Sequence, residues 1–80
     1  MERGVIVKRL GYYLKKKRSQ LLLYQEQASA QIGVSRVRYS DMENDKVYSY
    51  DPETLKAVAN WLGESTDWVL EKVPKKPKQQ

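Results

Sequence analysis

Apolar residues recur along the chain at helical spacing. Ile6, Leu10, Tyr13, Leu14 and Leu21 follow this spacing, with Lys8, Arg9 and Lys15–Lys17 mostly between them. The pattern predicts a first helix from about Val5 to about Ser19. A second is predicted from Tyr24–Gln25 to Ile32, with Ala28 and Ile32 four apart on one face. Gly33 then ends it, because glycine takes a left-handed turn without steric cost. Ser35 is a natural N-cap for a third helix running from Arg36 to about Glu43. A polar and aromatic loop fills positions 44–50. Asp51–Pro52 begins a fourth helix: Asp caps free amides, and Pro fits a first turn where its missing N–H has no partner. Leu55, Val58, Ala59 and Leu62 form its apolar stripe, closed by Gly63. Ser65 caps a short last helix with Asp67 in its first turn, followed by Trp68, Val69 and Leu70. No strand alternation and no internal repeat is visible. The expected fold is all-α, with five short helices.

From Lys72 onward the chain reads Lys-Val-Pro-Lys-Lys-Pro-Lys-Gln-Gln, with nothing to pack. This predicts a folded domain over 1–71 and a basic, disordered C-terminal tail over 72–80. Eighty residues make one domain with a small core. There is no cysteine and no histidine, so disulfides, zinc–thiolate sites and the commonest general base are excluded together. With no Gly-rich phosphate loop either, an enzyme is the poorest expectation and no cofactor or metal is expected. The longest apolar runs, Val5–Val7 and Leu21–Leu23, fall far short of the roughly 20 residues of a membrane span. No signal-like segment is visible, so a cytoplasmic location, without membrane contact, is expected. Fifteen Lys and Arg against ten Asp and Glu give a net charge of +5, which favours a polyanionic partner.

The stretch from Gln25 to Asn44 is helix, Gly-Val-Ser turn, helix. Helices joined by so short a turn must cross steeply, which is the geometry of a helix-turn-helix. Leu10-Gly11, Leu14 and Arg18 precede Leu23-Tyr24-Gln25-Glu26, Ile32-Gly33-Val34-Ser35-Arg36 and Met42-Glu43-Asn44; Leu62-Gly63, Ser65 and Asp67-Trp68-Val69-Leu70 follow. In order and spacing these resemble the Cro/phage-repressor (XRE-like) helix-turn-helix family, from about residue 10 to 70 without an internal gap. The resemblance implies a five-helix, lambda-repressor-like DNA-binding domain. It also implies an ion pair between Arg18 and Glu43, and a phosphate-facing role for Gln25. Some positions depart from the family. Ala28 stands for leucine, Ser29 for alanine, Tyr39 for a buried aliphatic residue and Lys17 for an apolar one. Asp45 stands for glycine and Tyr50 for a frequent proline. A large Tyr39 is expected to fill space that a small Ala28 leaves. Asp45 makes the loop conformation less secure, since Asp accepts a left-handed turn less readily than Gly.

At 100° per residue, Arg36, Val37, Ser40 and Asp41 share one side of the third helix, opposite Tyr39 and Met42. Tyr39 and Met42 should face the core and the other four a major groove. Arg36 suits guanine O6 and N7, Val37 a thymine methyl, and Asp41 either cytosine N4 or the orientation of a neighbouring arginine. Phosphate contacts are expected from Gln25, at a helix start with free amides, and from Ser35, Arg38, Asn44 and Lys46 around the reading face. The run Lys15–Arg18 covers every side of one helical turn, so it reads mainly as a solvated surface. Most of the six tyrosines read as half-buried packing, with Tyr48 and Tyr50 left open.

The expected function is a sequence-specific transcriptional regulator on double-stranded DNA. The alternatives are the antitoxin of a toxin–antitoxin pair, and a protein-interaction module on the same scaffold without DNA binding. One reading helix sees too few bases, so a homodimer is expected, through Trp61, Val69 and Leu70, with Trp68 packed in the core. A regulatory protein partner also fits a chain in which no ligand-sensing segment is visible.

Overall fold

The computed structural model describes residues 8–76. Five helices follow in order: α1 Leu10–Gln20, α2 Gln25–Ile32, α3 Arg36–Glu43, α4 Pro52–Leu62 and α5 Thr66–Lys72. No strand occurs among the described residues, and no helix there is long and apolar enough to cross a membrane. The all-α, five-helix expectation is met. Four starts lie where the local sequence provides for them. Ser35 accepts from the Arg38 N–H at 3.1 Å, Asp51 from Thr54 at 3.2 Å and Ser65 from Trp68 at 3.1 Å. At α2 the Gln27 side chain reaches back to the Tyr24 N–H at 2.8 Å.

The start of α1 differs from expectation. Arg9 is extended (φ −96°, ψ 177°) and provides no side-chain cap, so the helix begins at Leu10 and does not run through from Val5. Val5 and Ile6 lie outside the described residues. The cap comes from elsewhere in the chain: the Asp45 carboxylate accepts from the Gly11 N–H at 2.9 Å, placing an acidic group at the positive end of α1. At the other end, Leu21 is the C-cap and is exposed, outside the apolar face to which its spacing had assigned it.

All five helices contribute to one core. Leu10 and Leu14 of α1, Tyr39 and Met42 of α3, Val58 of α4 and Val69 of α5 are its largest fully buried side chains. Ala28 and Ile32 close it from α2, and Val47 from the loop after α3. Ala28 and Tyr39 are both completely buried. Gly11 permits the closest approach: a Cβ there would collide with the backbone carbonyl of Glu43. The ordered fold also passes the boundary expected after residue 71. Lys72 is helical, Val73 packs on the core and Pro74 is buried, because the first residues of the supposed tail include two apolar ones.

Candidate nucleic-acid interface

The turn between α2 and α3 is built by Gly33, whose φ of +97° is the left-handed region that only glycine enters freely. Its N–H and that of Val34 both donate to the Ser29 carbonyl, at 2.8 and 3.0 Å. Val34 packs on the core, and Ser35 starts the next helix at once. This fixes the direction in which α3 leaves.

Two faces of α3 then separate as the sequence predicted. Tyr39 and Met42 are buried, while Val37 remains 63% exposed. Arg36 and Arg38 are exposed; Ser40 and Asp41 are half-exposed. Two guanidinium groups in the first turn thus stand on the outer side of a helix whose inner side is locked.

Arg18, Gln25 and Glu43 hold that helix in place. Arg18 Nε donates to Glu43 Oε2 at 2.5 Å, and its Nη2 donates to Oε1 at 3.2 Å. Its Nη1 donates to the Leu23 carbonyl at 3.1 Å. One guanidinium therefore ties α1, the α1–α2 loop and the end of α3 together. The Glu43 side chain is only 4% exposed. Burial, the largest single influence on it, opposes its charge; the hydrogen bonds from Arg18 and Gln25, with the nearby Tyr39 hydroxyl, outweigh that and hold its carboxyl below the usual range. The hydrogen bond to Glu43 raises Arg18. Burial pushes the Tyr39 phenol far up, so it stays a neutral donor, to the Leu14 carbonyl at 3.4 Å.

Gln25 was expected to turn its amide outward. Its Nε2 instead donates to Glu43 Oε1 at 3.1 Å, because a buried carboxylate beside it accepts that hydrogen. One amide hydrogen is left over. Ser35 is exposed and its oxygen already accepts from Arg38 N, leaving its hydroxyl proton. Asn44 and Lys46 are exposed in the loop after α3. Asp45, between them, adopts φ +58° and is steadied by its bond to Gly11. Sequence reasoning marked Asp45 as a departure but missed what it does. The signal was an acidic residue in a position that otherwise asks for glycine.

The expected dimer surface changes more. Val69 is fully buried, since α5 turns it into the core, so it has no surface to offer a second copy. Trp61 is half-buried within the chain: its ring meets Tyr39 edge-on at 6.3 Å and its Nε1 donates to Gln31 Oε1 at 2.8 Å. Trp68 is half-buried rather than enclosed, edge-on to Tyr13 at 4.8 Å. Leu70 is 53% exposed. Tyr50 packs against the core, whereas Tyr48 is exposed.

Two packed helices joined by the left-handed Gly33 turn, a capped α3 and a charged outer face define a helix-turn-helix. Residues 14–69 match the Helix-turn-helix family, and the chain belongs to it. Among solved structures it is similar to the solution structure of the DNA-binding domain of the P22 C2 repressor, with 26% identity and a TM-score of 0.66. That likeness covers 82% of this chain and 86% of the other. No curated protein sequence matches the chain.

Proposed function

We propose that this protein is a non-enzymatic, sequence-specific regulator of transcription, of the Cro and phage-repressor kind, that binds operator DNA through α3. Family membership and the repressor domain it resembles support a DNA-binding helix-turn-helix regulator. The observation that carries the finer reading is the outer face of α3. Arg36, Val37, Ser40 and Asp41 project from a helix whose opposite side is buried. Arg36 reads a guanine edge, Val37 a thymine methyl, and Ser40 and Asp41 the neighbouring bases. Gln25, Ser35, Arg38, Asn44 and Lys46 engage phosphates on either side. In this reading Glu43 holds Gln25 by one amide hydrogen and aims the other at the backbone. The protein binds as a homodimer, to which α5 contributes the exposed Leu70.

The test uses a duplex selected by the protein from a random-oligonucleotide pool, beside a scrambled duplex, at one fixed salt concentration. Arg36→Ala should cost about 1–3 kcal/mol on the selected site and relax the preference at one base position. Gln25→Ala should weaken both duplexes alike. Equal loss on both duplexes for Arg36→Ala would make it a phosphate contact and sink the assignment. Affinity should also fall steeply with salt, as released counterions compete; a flat response would favour a protein-only module.

A further inference from the structure

A second basic surface lies on α1, on Lys8 just before it, and on α5, apart from the outer face of α3. Lys8 and Lys16 stand over the Tyr12 ring at 4.8 and 5.9 Å. Lys72 stands over Tyr13 at 5.6 Å and over Trp68 at 5.4 Å. Among the described residues the only ion pair is Arg18–Glu43, so these ammonium groups have aromatic faces for company and no carboxylate. Tyr13, Lys16 and Trp68 of this surface also line a concave pocket of about 170 Å³. Its apolar lining is Tyr13, Leu62 and Trp68, and its polar lining Lys16, Lys17, Gln20 and Glu64.

The geometry points to an acidic segment of a partner protein, anchored by one aromatic side chain, as the ligand of this pocket. Size decides between ligand classes: small-molecule sites run to roughly 300–1,000 Å³, whereas this one has room for a single ring. Charge decides the flanks. Two lysines against one glutamate leave the lining positive, and carboxylates beside the anchor would complete the ion pairs that Lys16 and Lys17 lack. A DNA duplex fits less well, since it presents a convex row of phosphates with nothing to enter the recess. The surface uses no residue of the reading helix, so a partner could sit here while α3 is on DNA.

The experiment is an amide chemical-shift titration of the full chain with a short glutamate-rich peptide carrying one phenylalanine. Saturable shifts are expected at Tyr13, Lys16, Lys17 and Trp68, with α3 unmoved, and a dissociation constant below about 1 mM. Replacing the phenylalanine by alanine, or Lys16→Gln with Lys17→Gln, should each weaken binding by about tenfold. Lys16→Gln alone, at an exposed position, should still weaken it by about threefold and serves if the double variant folds poorly. Glu64→Gln should tighten binding, which a purely structural role for this lining would not produce. The proposal is overturned if the shifts centre on α3, if the alanine peptide binds equally well, or if the lysine variants bind unchanged. It is equally overturned if random duplex DNA shifts the α1–α5 amides in preference to those of α2 and α3.

Discussion

Arg18 and Glu43 carry a large stake in the fold for two polar residues. Removing the guanidinium by Arg18→Ala leaves a nearly enclosed carboxylate without its main partner, at a cost on the order of 3 kcal/mol. That is a large share of the stability of a domain this size. An unchanged melting temperature would show that the pair contributes nothing. The same carboxyl predicts an acid limb. Its pKa is lower in the folded chain than in the unfolded one, so its stabilisation is complete above the ordinary value of 4.5 and is lost as pH falls through the folded value. Glu43→Gln should be less stable at neutral pH and lose that part of the acid dependence; parallel stability curves for the two proteins would refute this. The Arg18–Glu43 pairing was legible only as what the resemblance to the family implies. The third member, Gln25, was assigned to phosphate alone. Adjacency of Gln25 to Glu43 arises only when α2 and α3 cross, and no local pattern encodes it.

Helix ends show where local reading succeeds. Ser35, Asp51 and Ser65 begin helices because the capping oxygen lies three residues before the amide it serves, within one window of sequence. The start of α1 was placed too early because its capping oxygen lies 34 residues away. Asp45 performs two tasks at once, holding a left-handed backbone and accepting from Gly11. Substitutions can separate them. Asp45→Asn tolerates the left-handed turn and retains an oxygen acceptor, and should change stability by less than about 1 kcal/mol. Asp45→Ala loses the acceptor while keeping the strained φ, and should cost about 2 kcal/mol or more. Asp45→Gly relieves the backbone and loses only the cap, so it should fall between them. Denaturant melts of the three variants give the order; alanine as stable as asparagine would show that the bond to Gly11 is not worth having. Close by, Gly11→Ala forces a methyl against the Glu43 carbonyl, which is backbone and cannot yield cheaply, so a loss of about 1–3 kcal/mol is expected.

For the whole molecule, the question is where the folded domain stops and what the basic segment after it contributes. Composition placed that change at Lys72, since a lysine- and proline-rich stretch reads as solvated. Packing moves it later. Lys72 lies over two aromatic rings, Val73 contacts the core and Pro74 is buried, whereas Lys75 and Lys76 are exposed. A run of charge hides an apolar pair inside it, and only the arrangement of α5 against α1 and α4 shows which residues are covered. Two truncations therefore have different expected outcomes. Removing residues 75–80 should leave the melting temperature unchanged, because Lys75 and Lys76, the described residues it strips, are exposed cations. If those cations follow phosphates, it should weaken selected and scrambled duplexes by the same factor and flatten the salt dependence of both. Removing residues 72–80 should also lower the melting temperature, since Val73 and Pro74 leave with the tail. Affinity for both duplexes then falls partly because less protein is folded, so the two truncations must be compared at a temperature where each is native. A loss confined to the selected duplex on removing 75–80 would mean that the segment reads a groove. Equal melting temperatures for the two truncations would return the domain boundary to residue 71.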